Sequence, residues 1–173
     1  MTSTDLPATA AMRPEGSPAS TELAEAHAAH AVELVRFATI LVGRHDAPDV
    51  VSSAFTRAWT AAGWRDVANP RAYLYRIVAN EAHNLRRGQG RRAEREHRDH
   101  MMRELTSLPL AESALEVRQG VARLSVRQRA VVFLTYWADM PDAEIAETLG
   151  ISPGSVRRHL ARARTHLRRI LHG

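Results

Sequence analysis

Cysteine and lysine are both absent from the 173 residues. Without cysteine, neither a disulfide nor a thiol switch can operate within the chain. All 24 cationic side chains are arginines; this reflects GC-rich coding more than function, although arginine also suits phosphate and guanine contacts. Aromatics make up only 5%, and helix-favouring Ala, Leu, Arg and Glu dominate, which argues against a sheet and for small all-helical units. No apolar run approaches the roughly 20 residues of a membrane helix, and the first residues lack the basic-then-apolar order of a signal peptide. No membrane span and a cytoplasmic location are therefore expected. Nothing resembles a Ser, His and Asp constellation, a glycine-rich phosphate loop or a pair of catalytic carboxylates, so neither an enzyme nor a cofactor is expected. His27 with His30, and His97 with His100, have metal-compatible spacing but no convincing third or fourth ligand, so no metal is expected either.

What charge there is falls in blocks. Residues 1–50 carry a net −4, 51–103 a net +6, 104–149 a net −3 and 150–173 a net +6, for the total of +5. Two basic blocks alternating with two acidic ones fit two separate contacts with a polyanion better than one diffuse cationic surface.

The most informative stretch is RLSVRQRAVVFLTYWADMPDAEIAETLGISPGSVRRHLARARTHLRRIL, residues 123–171. Ser125 and Gln128 have capping-box spacing, and Val131, Val132, Leu134 and Thr135 give the helix they open an inward face. Ala146, Gly150 and Val156 then fall where a helix-turn-helix needs a small residue for close approach, a glycine for the turn and a branched anchor. Ser152 before Pro153 is a cap-then-proline start. Beyond it Val156, Leu160, Ala163, Leu167 and Ile170 line one side, while six arginines and no acid take the rest. A solvated face or a helix dipole complement would account for the arginines alone. With the helix-turn-helix spacing, they read as a recognition helix for a DNA major groove.

Residues 1–21 have no periodicity and are expected to form a disordered tail. Helical spacing follows from about Glu22 to Val42, burying Leu34, Val35, Ala38, Leu41 and Val42, with a stop at Gly43. Asp46 is placed to cap a second helix with Asp49 in its first turn; Val50, Val51, Ala54, Phe55, Ala58, Trp59 and Ala62 repeat along it up to Gly63. Asn69 and Pro70 open a third, through Tyr73, Leu74, Ile77, Val78 and Leu85 to Gly88. The predicted domains are thus 22–88, a helical bundle, and 113–173, the helix-turn-helix unit, joined by a charged, weakly periodic linker over 89–112.

Over residues 23–88 and 113–171 the chain resembles the extracytoplasmic-function sigma factors of bacterial RNA polymerase, of actinobacterial type. DAPDVVSSAFTRAW is similar to that family's core-binding helix, PRAYLYRIVANEAHNLRR to its minus-ten helix, and RQRAVVFLTYWADMPDAEIAETLGISPGSVRRHLARAR to its minus-thirty-five reader. The resemblance implies an all-α fold of two small helical domains and a function in promoter-specific initiation with core RNA polymerase, through its largest-subunit clamp helices and beta flap. Promoter DNA is the second implied partner, and an anti-sigma protein a further candidate. By the same carry-over Ser155, Arg157, Arg158, His159 and Arg162 read the minus-thirty-five element. Trp64, Tyr73, Arg76, Asn80, Asn84, Arg86 and Arg87 serve the minus-ten strand, since a melted base is held by stacking and edge hydrogen bonds beside cations. Asp46, Asp49, Ser52, Ser53, Phe55 and Trp59 are the core-polymerase candidates, although Phe55, Trp59, Tyr73 and Trp64 also fit a structural role in the bundle.

Three departures from the pattern stand out. Ser52 and Ser53 occupy positions where Gln and an acid are usual, and Arg158 and His159 stand where Ser and Arg are common. Pro141 replaces a capping Ser, leaving Asp139 or Asp142 as alternative caps. Two other functions remain open at this point: an operator-binding regulator that works without polymerase, and a sigma mimic that titrates a regulator. No receiver-like strand-helix pattern precedes the helix-turn-helix to favour the first, and the intact PRAYLYRIVANEAHNLRR weighs against the second.

Overall fold

The computed structural model describes residues 18–61, 64–88 and 112–171. Among the described residues there are seven α-helices, one 3-10 turn and no strand. They are α1 (Pro18–Val42), α2 (Ala47–Thr60), the 3-10 turn Trp64–Asp66, α3 (Pro70–Gly88), α4 (Glu112–Ala122), α5 (Val126–Tyr136), α6 (Asp142–Leu149) and α7 (Pro153–Leu171). The all-α fold expected from composition and periodicity is the one observed. Residues 1–17 of the expected tail and 89–111 of the expected linker lie outside the described residues.

Helices α1, α2 and α3 pack on one another, and α4, α5 and α6 each pack on α7. The breaks between helices follow from local chemistry. Gly43 takes a positive φ of 89° after α1, a conformation that costs glycine nothing. Asn69 Oδ1 accepts from the Ala72 amide at 3.0 Å, capping α3 as its position predicts. The capping box at α5 forms in full: Gln128 N donates to Ser125 Oγ and Ser125 N donates to Gln128 Oε1.

Several local expectations need correction. Helix α1 starts at Pro18, ahead of Glu22, so residues 18–21 are helical rather than part of a tail. Its buried face is the one foreseen at Leu34, Ala38, Leu41 and Val42, but Val35 is exposed and Phe37, not expected inside, is fully buried. Helix α2 ends at Thr60, before Ala62 and Gly63. Asp46 holds the N-cap position of α2, yet its side chain makes no capping hydrogen bond because its backbone is already helical there. Pro141 holds the N-cap position of α6 and supplies no side-chain cap; Asp142 is the first residue of the helix and Asp139 sits in the preceding corner with φ 52°.

The two bundles are not independent. Helix α1 packs on α5, and α3 packs on both α5 and α6. The Phe133 ring of α5 lies 5.0 Å from Phe37 and 6.2 Å from Tyr75, ring centre to centre, so the buried residues of both bundles make one continuous cluster. Beside it Arg71 pairs with Glu33 through two hydrogen bonds, one of 3.1 Å, and donates to the Ala138 carbonyl across the seam at 3.4 Å. Asn69 and Glu144 meet across the same seam at 3.4 Å.

Candidate nucleic-acid interface

The C-terminal surface is built by the turn between α6 and α7. Gly150 adopts φ 62° and donates to Glu147 O, while the Ile151 amide reaches Ala146 O at 2.9 Å, a doubly bonded left-handed helix ending. From α5, Arg127 Nη1 donates to the Leu149 carbonyl at 2.9 Å, a group the helix end leaves without a helical partner. Ser152 Oγ then accepts from the Ser155 amide at 3.2 Å and starts α7. Val156, Leu160 and Ala163 are buried beneath it. At the far end Leu167 and Ile170 lie against Gly120 of α4, where an added Cβ would sit only 2.8 Å from Leu167 Cδ2.

With that stripe inward, Arg157, Arg158 and Arg162 are exposed on the first half of α7. Ser155 is half-buried, with its hydroxyl 3.0 Å from Ser152 Oγ in the cap. His159 is half-buried and its pKa is lowered, by burial first and then by Arg127, Arg162 and Arg158. A neutral imidazole in a cationic setting keeps an acceptor nitrogen that a protonated one would lose. Arg164 is taken up locally, donating to Tyr136 Oη at 2.7 Å with its guanidinium 5.7 Å from that ring. Arg168 and Arg169 are exposed in the last turn.

The second surface lies on α3. Leu74, Tyr75, Val78 and Ala82 are fully buried, which turns Arg76, Asn80, Asn84 and Arg87 outward as one exposed row. Steps of four, four and three residues keep them on one face. Two residues expected with them are placed otherwise. Arg86 is 8% exposed and its Nη2 donates to the Val42 carbonyl at 3.1 Å, closing the end of α1; its place in the apolar layer between α1 and α3 makes it a structural group in this conformation. Trp64 is 4% exposed and meets the half-buried Tyr73 edge-on at 5.9 Å, so it fills the bundle rather than standing free to stack on a base.

On α2, Asp49, Ser52 and Ser53 are exposed and Asp46 is half-buried. Phe55 and Trp59 pack against the core, Phe55 with His27 at 4.6 Å. Reasoning from the chain alone missed Arg71, Arg127 and Tyr75. Proline at position 70 announces a helix start but not that the next side chain spans a seam, and the Arg127 contact joins residues that share no periodic pattern.

Residues 27–92 match the Sigma-70 region 2 family, and residues 114–167 match Sigma-70, region 4. The ECF RNA polymerase sigma factor SigL of Mycobacterium tuberculosis is 33% identical over 151 residues, which span 82% of this chain and 84% of SigL. The chain belongs to the ECF sigma factors. SigM of the same organism, also an ECF RNA polymerase sigma factor, is 32% identical over 128 residues; they span 73% of this chain and 64% of SigM, less than two thirds of that protein. The exposed row on α3 thus lies in region 2 and the arginines of α7 in region 4. Among solved structures, the sigma factor RpoE in complex with the anti-sigma factor NepR from Bartonella quintana shares the fold with a TM-score of 0.62 at 22% identity, over 88% of this chain and 95% of that one. CnrH in complex with the cytosolic domain of CnrY matches with a TM-score of 0.57 at 27% identity, covering 88% of each chain. Among the described residues no helix is long and apolar enough to cross a membrane.

Proposed function

We propose that this chain is an alternative sigma factor that binds core RNA polymerase and directs it to promoters, leaving the chemistry of RNA synthesis to the polymerase. The observation that carries this reading is the pair of outward polar surfaces on separate bundles: Arg76, Asn80, Asn84 and Arg87 on α3, and Arg157, Arg158 and Arg162 on α7. In this reading α7 enters the major groove of the minus-thirty-five element, where a bidentate arginine distinguishes guanine. The row on α3 holds the unpaired minus-ten strand, its amides meeting base edges and its guanidiniums the backbone. Tyr73 lies beside that row and is half-buried, so it can reach the surface to stack more readily than the buried Trp64.

Asp46, Asp49, Ser52 and Ser53 on the outer face of α2 are assigned to the clamp helices of the largest subunit, with Phe55 and Trp59 supporting that face from beneath. Region 4 is assigned to the beta flap. An anti-sigma protein is a fitting further partner, since the solved relative RpoE is in complex with one.

Transcription in vitro with core polymerase and a promoter library is the deciding experiment. Initiation from a defined subset of promoters only when this chain is added is expected. Sequence-specific DNA binding without polymerase, and no initiation with it, would favour an operator-binding regulator instead.

A further inference from the structure

The outer face of α2 carries a row of hydroxyls, and the inference drawn from it rests on the assignment of that face to core polymerase. Asp49, Ser52, Ser53, Thr56 and Thr60 are all exposed there, while Val50, Val51, Ala54 and Ala58 hold the opposite side in the core. The hydroxyls are not equivalent. Thr56 Oγ1 donates to the Ser52 carbonyl at 2.9 Å and Thr60 Oγ1 to the Thr56 carbonyl at 3.1 Å, so both are taken up by their own helix. Among the described residues neither the Ser52 nor the Ser53 hydroxyl has a hydrogen-bond partner, which leaves these two available for reaction.

Ser53 differs from Ser52 in its neighbours. It stands where the ECF sigma factors usually carry an acid, and it lies on one ridge with Asp49 a turn before it and Arg57 a turn after, at steps of four. Arg57 Nε is 2.7 Å from Glu81 Oε1 on α3, with the arginine side chain 64% exposed, so the guanidinium is held beside the ridge and open to solvent. An anion four residues ahead of a cation is the favourable order on a helix. Negative charge on Ser53 is therefore compatible with α2, opposed by Asp49 and supported by Arg57. Without it the single acid and the single base of the ridge cancel. An acid usual at a contact position implies a cationic partner surface, and a ridge of no net charge is a poor complement to one.

We propose that Ser53 is a phosphorylation site, and that its phosphoserine supplies the anion with which α2 meets core polymerase. The reaction is group transfer from a nucleoside triphosphate by a serine/threonine protein kinase. Ser53 Oγ attacks the γ-phosphorus, the Oγ–P bond forms as the bond to the bridging β-phosphate oxygen breaks, the nucleoside diphosphate leaves, and the hydroxyl proton passes to a base of the kinase. The product carries about 1.5 to 2 negative charges and three acceptor oxygens at neutral pH. The unmodified chain is then the weakly binding form and the modified chain the strongly binding one.

Phosphoserine encoded at position 53 of the full chain gives a homogeneous protein for titration with core polymerase. It should bind about tenfold more tightly than the unmodified chain, the change expected on gaining one charge-assisted hydrogen bond, and the advantage should shrink as salt is raised. Ser53→Glu, with a smaller charge at the same exposed position, should recover part of the gain, and Ser52→Glu, off the ridge, should recover less. In a second arm, mass spectrometry of the chain recovered from its own cells while its promoters are active should find phosphate on Ser53, and phosphatase treatment should lower the activity of that material with core polymerase. A phosphoserine chain that binds no more tightly than the unmodified one, or an active recovered chain without phosphate at Ser53, would overturn the proposal. Equal binding by both forms leaves the sigma-factor reading in place, whereas a chain that neither binds core polymerase nor initiates in either form removes that reading and this proposal with it.

Discussion

At the scale of single residues, the arginines of α7 differ in what surrounds them more than in their chemistry. Arg157 and Arg162 are exposed within two to three turns of the Ser152 cap, where a recognition helix meets base edges; Arg168 lies at the opposite end, past the contact of Leu167 with Gly120. A base-reading arginine discriminates by about 1–3 kcal/mol, whereas a phosphate contact weakens all sequences alike. Arg157→Ala or Arg162→Ala should therefore relax base preference at particular minus-thirty-five positions, and Arg168→Ala should alter activity little and uniformly. A promoter-library readout checks this; the assignment is lost if Arg168→Ala changes base preference while the other two do not. On α3, Arg76→Ala and Asn80→Ala should leave polymerase binding intact and impair strand opening, as read by permanganate footprinting. Normal melting by both variants would count against the α3 row.

At the scale of elements, much was legible in the chain because helix ends are local events. The Ser125 and Gln128 box, the Asn69 cap and the Gly150 turn each lie within a few residues of the group they satisfy, and each forms as its spacing predicts. What stayed hidden depends on distant partners. Arg86 reads as one of a basic pair until Val42, 44 positions away, is seen to take its hydrogen bond. Phe37 and Tyr75 fall outside the faces that the helical spacing marks as buried, and only Phe133, arriving from the other bundle, shows what covers them. Gly120 shows the same limit, since nothing in its neighbourhood along the chain reveals that α7 passes close to it. Two stability changes follow. Ser125→Ala should lower unfolding stability by about 1 kcal/mol through loss of the cap. Gly120→Leu should lower it by about 1–3 kcal/mol by forcing α4 off α7. Urea denaturation measures both, and a Gly120→Leu chain as stable as the original would mean that α4 and α7 are not held in contact.

At the scale of the whole molecule, acid should loosen the structure. His83 has a lowered pKa, through burial first and then Arg127 across the seam and Arg87 on its own helix; His159 is lowered by burial and by Arg127, Arg162 and Arg158. A depressed imidazole binds its proton less readily in the folded chain than in the unfolded one. Stability is thus unaffected well above the ordinary histidine pKa of about 6.5 and falls as pH drops through it toward the lowered values. Glu33, held below the usual carboxylate range by the Arg71 hydrogen bond, adds a loss of the same sign at lower pH. The urea midpoint should therefore decline between about pH 7.5 and about pH 5.5, and less steeply in His83→Gln. A midpoint that is level or rising over that range would show that these imidazoles are not protected from protonation.

Under the proposed function, the seam would also bear on how the chain competes for polymerase. Domain separations of this kind take place in microseconds to milliseconds, so under the proposed function a polymerase would meet an equilibrated mixture of any closed and open chains rather than wait on a slow conversion. If only the open form docks, apparent affinity is the intrinsic affinity multiplied by the open fraction, and a chain open about 1% of the time binds about a hundredfold more weakly than its contact surface allows. Abundance and occupancy are then linked steeply. A small change in Phe133 packing would shift this chain's share of the polymerase pool without altering a single contact to the enzyme or to DNA.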